Sequence, residues 1–178
     1  QGDLAAAEPL LESAHQVASA RLGAGSPSAV MMHTTRCELL VRRHRTAQAL
    51  DCVLGLHAAL RASPTAPRWM AWLTLGNAGI LQGELGQSAD AVRSLVQARQ
   101  GLVDEHGPES TLQFVNVSLA QARWRAGQAT AAWPLMSGLD PTALQSVEPD
   151  VAWPQRIALL RGLILASLGR RSEARALL

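Results

Sequence analysis

Apolar side chains recur three and four positions apart along this chain, in runs separated by short breaks of glycine, proline or polar residues. That spacing lays them on one stripe of an α-helix. It predicts helices over 4–22, 28–43, 46–61, 68–85, 88–105, 109–126 and 154–168, with further ones starting near 128 and 172. Ser88 is read as an N-cap, its hydroxyl accepting from an orphan backbone N–H. Pro9 and Pro134 are read as first-turn residues, where a missing N–H costs little. Gly138 and Pro141 break the helix that starts near 128. Asp140-Pro141 then reads as a cap and first residue of a short helix reaching about Val147, with 148–154 a rigid connection.

The pattern repeats. Turn residues Gly2, His44, Gly86, Gly127 and Gly169 are spaced by 42, 42, 41 and 42 residues. Five positions after each stands an alanine: Ala7, Ala49, Ala91, Ala132 and Ala174. Nine after come Leu11, Val53, Leu95, Met136 and Leu178; twelve after come Ala14, Leu56, Ala98 and Leu139. Seven before the last four turns sit the small residues Cys37, Gly79, Ala120 and Gly162. Offsets of five, nine and twelve form a helical stripe, and small residues facing alanine let two antiparallel helices approach closely. Each period is therefore a helical hairpin, which cannot bury both faces alone and must stack on its neighbours.

These columns resemble the tetratricopeptide repeat (TPR), in the longer 42-residue form of kinesin light chain and of bacterial signalling proteins. The resemblance implies an all-α fold, a right-handed α-superhelix of stacked antiparallel hairpins. The repeats would cover 1–27 (partial), 28–67, 68–108, 109–153 (irregular second helix) and 154–178 (partial), as a fragment of a longer protein. The sequence departs from the pattern where an early aromatic is replaced by His33, Leu75, Asn116 and Ala158, and where His44 stands for glycine.

Composition agrees with helices: 28 Leu and 31 Ala among 178 residues. All 16 basic residues are Arg, against 14 acidic ones, and they are scattered. The densest basic run, 42–45, reads as a solvated turn rather than a nucleic-acid surface, which needs a broader stripe. No apolar run is long enough to span a membrane. Two cysteines make no framework, so a reducing cytoplasmic setting is the default. Cys37 and Cys52 face each other across one hairpin; a disulfide or metal pair is conceivable there, but small packing residues is the preferred reading. The five histidines lack metal-site spacing, His15 and His57 sharing a repeat position instead. Gly76, Gly79, Gly83 and Gly86 thin a helix face and form no nucleotide loop. No catalytic constellation, cofactor or metal is expected.

In stacked hairpins the first helices line the concave wall. By repeat position that wall should show Met31, Thr34, Glu38, Leu73, Asn77, Ile80, Phe114, Ser118, Gln121, Arg125 and Arg156. Trp69, Trp72, Trp124, Trp133 and Trp153 are read as filler between hairpins, with groove contact as the other reading. The resemblance implies a non-catalytic scaffold binding a protein or peptide, in a larger bacterial regulatory or signalling protein. The alternative is a small-molecule-sensing domain of a transcription regulator. Self-association through the terminal helices is a further reading.

Overall fold

The computed structural model describes residues 4–136, 138–146 and 149–177. Among them there is no strand. The helices are α1 (Leu4–Leu22), α2 (Pro27–Arg42), α3 (Thr46–Ala62), α4 (Arg68–Glu84), α5 (Ser88–Asp104), α6 (Glu109–Arg125), α7 (Ala129–Ala132), α8 (Pro141–Gln145), α9 (Trp153–Ser167) and α10 (Arg171–Leu177). A 3-10 turn, Trp133–Met136, follows α7. The long helices begin and end within about a residue of the periodicity. Gly2, Val147, Glu148 and Leu178 lie outside the described residues.

The marker residues end helices by a shared device. His44, Gly86, Gly127 and Gly169 all have left-handed backbone, with φ of 55, 77, 75 and 78°. The residue after each donates its N–H back five positions: Arg45 to Leu40, Gln87 to Gln82, Gln128 to Arg123 and Arg170 to Leu165, at 2.8–3.0 Å. This closing bond satisfies a carbonyl that a helix end leaves orphaned. His44 thus does a glycine's work at a conformational cost.

Ser88 is the first residue of α5, not its cap; Gln87 holds the cap position without a side-chain bond. Ser26 is the serine that does cap, accepting from the Ala29 N–H at 3.3 Å.

Hairpins form as the columns require. Ala49, Ala91 and Ala132 are 0% exposed, and Val53, Leu95 and Met136 are buried beside them. Within the hairpin α4–α5, a Cβ built on Gly79 would stand 2.7 Å from Leu95 Cγ and 3.2 Å from the Ala91 carbonyl oxygen. Only glycine permits that approach. Consecutive helices pack in series, α4 also meets α6, and α6 meets α9. The first helices α4, α6 and α9 therefore lie side by side, and α2 reaches α4 through side chains, Val30 clustering with Leu60 and Ala71; α3 and α5 are the second, outer helices of their hairpins.

The irregular repeat is built differently from the others. Pro134 is the sixth residue from the start of α7, so it lies past the first turn and withholds the N–H that Thr130's carbonyl would receive. Pro9 stands similarly in α1, which continues to Leu22. There the following residues are helix formers, whereas here Gly138 (φ 72°) and the pre-proline Asp140 follow. The chain tightens to 3-10 geometry at Trp133. Neighbouring arginines take two of its carbonyls: Arg123 donates to Ala131 O at 2.9 Å and Arg161 to Met136 O at 2.6 Å. Asp140 caps α8 as expected, accepting from Thr142 N at 2.8 Å. The buried Gln113 accepts the Asp140 N–H at 2.9 Å and fixes the segment on α6.

Candidate partner-binding groove

Helical spacing sets one stripe on each inner helix: Met31, Thr34 and Glu38 on α2; Leu73, Asn77 and Ile80 on α4; Phe114, Ser118, Gln121 and Arg125 on α6. The wall carries two hollows of unlike chemistry. Met31, Thr34 and Glu38 join Val30, Leu60 and Met70 around an apolar hollow of about 460 Å³ between α2 and α4. Ile80, Glu84, Ser118, Gln121, Arg125 and Arg156 meet around a smaller one of about 110 Å³ spanning α4, α5, α6 and α9. Leu73 and Asn77 line neither; Leu73 is half-buried and Asn77 exposed.

Two predicted wall residues face inward. Phe114 is buried, its ring edge-on to the buried Trp153 at 6.2 Å between centroids. Ser118 is buried too, and its hydroxyl donates to Phe114 O at 3.0 Å. Phe114 nevertheless supports the wall: it packs Trp153, and the Arg156 guanidinium lies 5.0 Å from that ring. Arg156 also donates to Gln121 Oε1 at 3.5 Å. Stacking and this bond hold one cation beside the Arg125 side chain on the same hollow. Val30, Met70 and Glu84 are lining residues that repeat position alone did not pick out. They lie on the predicted helices, but side-chain direction depends on how the hairpins stack.

The tryptophans pack against neighbouring helices, within a hairpin as well as between hairpins. Trp72 lies on Gly101, where a Cβ would enter its ring, with the Arg61 guanidinium 4.9 Å from the ring centroid. Trp124 Nε1 donates to Ser167 Oγ at 3.0 Å, and Trp133 carries the Arg170 guanidinium at 5.1 Å. His57 crosses from α3 to bond Ala71 O at 2.8 Å. The basic turn 42–45 is no free solvated cluster, since Glu8 of α1 pairs with both Arg43 and Arg45.

The cysteines correct the packing reading. Cys37 and Cys52 form a disulfide between α2 and α3, with Cα atoms 5.5 Å apart. Cys37 stands in the small-residue column seven before the turn and Cys52 eight after it, and the close approach of α2 and α3 there brings their Cα atoms to the distance a disulfide needs. Next to it His33 is buried, its ring 4.5 Å from that of His15. Burial lowers the His33 pKa below 6.5, and the positive charge of His15 and Arg36 lowers it further; the Cys52 backbone and Glu12 pull the other way. In the aromatic column, Asn116 is instead held by Arg99 Nε at 2.9 Å.

Hairpins stacked in series around a shared inner wall define a TPR-like helical solenoid. The chain superposes on two crystal structures from Podosopora anserina, both described as putative kinesin light chain with nearly identical TPR-like repeats, one of them carrying a single substitution. The substituted form gives a TM-score of 0.75 at 17% identity, covering 98% of this chain and 82% of that one. The other gives 0.73 at 17%, covering 98% and 83%. No family model and no curated protein sequence matches. At that identity the likeness establishes the fold.

Proposed function

We propose that this chain is a non-catalytic scaffold that holds a segment of another protein along its inner wall. The observation that carries this reading is the pairing of two hollows, one apolar at Val30, Met31 and Met70 and one with two arginines, Arg125 and Arg156, against a single carboxylate, Glu84. A segment with an apolar anchor and an acidic side chain matches both. Asn77, exposed between them, offers a donor and an acceptor to the segment's backbone. Aromatic and arginine side chains are where interface energy concentrates. The pairing of Arg43 and Arg45 with Glu8 counts against a nucleic-acid surface at that turn. Wider context, a larger bacterial regulatory or signalling protein, is taken from the resemblance of the repeat pattern; the cytoplasmic expectation rested on the low cysteine count, and the Cys37–Cys52 disulfide counts against it.

A displayed random-peptide library tests this. Selected peptides should share an acidic position and an apolar one. Arg125→Glu should weaken them at least tenfold, about 1.4 kcal/mol, while Val96→Glu on α5 leaves them unchanged. Peptides indifferent to Arg125→Glu would refute the groove. Small-molecule sensing draws on the size of the apolar hollow, which falls in the range of ligand pockets, roughly 300–1,000 Å³. A metabolite panel that raises the unfolding temperature, with loss of the effect in Met31→Glu, would favour that reading instead.

A further inference from the structure

The Cys37–Cys52 pair has a third neighbour of matching chemistry. His33 precedes Cys37 by four residues on α2, so both project from one face, and Cys52 reaches them from α3. One ligand atom from each of the three lies within 4.8 Å of the others, and all three residues are buried. Two thiolates and an imidazole suit zinc and similar borderline cations better than calcium or magnesium, which take oxygen donors. An open hollow bordered by His33, Cys52, Arg36 and Asp51 gives an ion a path from solvent. The His15 ring against His33 limits how the imidazole can turn.

We propose that the reduced chain binds one Zn²⁺ through Cys37, Cys52 and His33, with water from the hollow in the fourth position. Two sulfurs on one tetrahedral zinc stand about 3.8 Å apart at a Zn–S distance of about 2.3 Å. The disulfide must therefore open before the ion enters, and side-chain rotation brings the sulfurs to that spacing.

Opening is thiol–disulfide exchange with a dithiol reductant. The Cys37–Cys52 bond takes up two electrons and two protons, and the reductant closes to its own disulfide. Zn²⁺ then displaces the two thiol protons and gains the neutral imidazole, with no change in the metal's oxidation state. A disulfide oxidant reverses this: two electrons pass from the thiolates to the oxidant's sulfurs, which take two protons from water and become thiols, while the protein disulfide re-forms and the ion departs. Either state ties α2 to α3, so the hairpin stays closed in reducing and oxidising surroundings alike.

Cobalt(II) added to the phosphine-reduced chain without oxygen is the probe. The expected result is one equivalent bound, with a thiolate-to-cobalt charge-transfer band and intense tetrahedral visible bands, both bleached by equimolar Zn²⁺ and absent from the oxidised chain. Cys52→Ser should lose most of the charge-transfer intensity, and His33→Gln should weaken uptake at least tenfold with helical circular dichroism retained. Should Cys52→Ser fail to fold, the unmutated reduced chain decides: Zn²⁺ should protect both thiols from iodoacetamide. A folded, reduced chain with no charge-transfer band and unprotected thiols would leave a structural disulfide only and overturn the site. Unchanged affinity in folded His33→Gln would overturn the role of the imidazole.

Discussion

Gly79 is where the hairpin geometry can be weighed most cleanly. In Gly79→Ala the new methyl would stand 2.7 Å from Leu95 Cγ and 3.3 Å from Leu95 N. Leu95 is 1% exposed and cannot retreat into solvent. Overpacking of this kind costs about 1–3 kcal/mol, while replacing a mid-helix glycine by alanine returns about 1 kcal/mol. Gly83, on the same helix, provides the reference. Its Cβ would meet only the Ala91 Cβ at 3.8 Å, an ordinary contact. Gly83→Ala should therefore be neutral or stabilising by up to about 1 kcal/mol. Subtracting one variant from the other cancels the propensity gain and leaves the overpacking, about 1–3 kcal/mol. At about 2–4 °C per kcal/mol for a chain this size, the two melting curves separate by several degrees, Gly79→Ala lower. Gly79→Leu should fall lower still. Urea unfolding followed by circular dichroism gives the same difference independently. Equal stability of Gly79→Ala and Gly83→Ala would show that α4 and α5 do not approach at Gly79.

Reducing the Cys37–Cys52 disulfide in metal-free buffer should destabilise the chain by up to about 3 kcal/mol, the chain-entropy value for a loop of about 15 residues; urea midpoints with and without reductant, against Cys37→Ala/Cys52→Ala as control, check it. His33 has its pKa lowered in the fold by burial and by the cationic neighbours His15 and Arg36. A depressed histidine pKa means the unfolded chain binds the proton more readily, so stability is full above 6.5 and is lost as pH falls through and below that value. Melting of the oxidised, metal-free chain between about pH 7.5 and about pH 5.5 should show this loss, and His33→Gln should flatten it; parallel slopes would contradict the assignment. His44→Gly relieves a left-handed side chain and should stabilise by about 1 kcal/mol in thermal unfolding. Arg161→Met leaves the Met136 carbonyl without its charged donor and should cost about 1.5–3 kcal/mol, read from urea midpoints.

The repeat columns made the fold legible because they encode a contact rather than a propensity. An alanine at a fixed offset from a turn, facing a small residue on the previous helix, has few explanations besides a tight hairpin. His44 tested this, since it kept its place in the spacing while breaking the glycine pattern, and its backbone is left-handed like the others. Features resting on cross-helix partners were harder to see. The pairing of Cys37 with Cys52 depends on how close α2 and α3 come. The sequence placed them opposite one another but could not supply the Cα separation. Arg123, Arg161 and Gln113 carry no signal in the sequence because the backbone groups they bond are freed only when the helix after Gly127 tightens at Pro134. On the wall, stripe membership followed from spacing, and depth did not. Phe114 lies on the right stripe yet sinks against Trp153, which enters from the start of α9.

Photo-crosslinking with a library-selected peptide tests the central claim most directly. A diazirine placed at the peptide's apolar position should label α2 and α4 around Met31, Thr34 and Met70, and one beside its acidic position should label α6 and α9 around Gln121 and Arg156. Labelling concentrated on the outer helices, at Leu54 of α3 or Val96 of α5, would show that the inner wall is not where a partner lies.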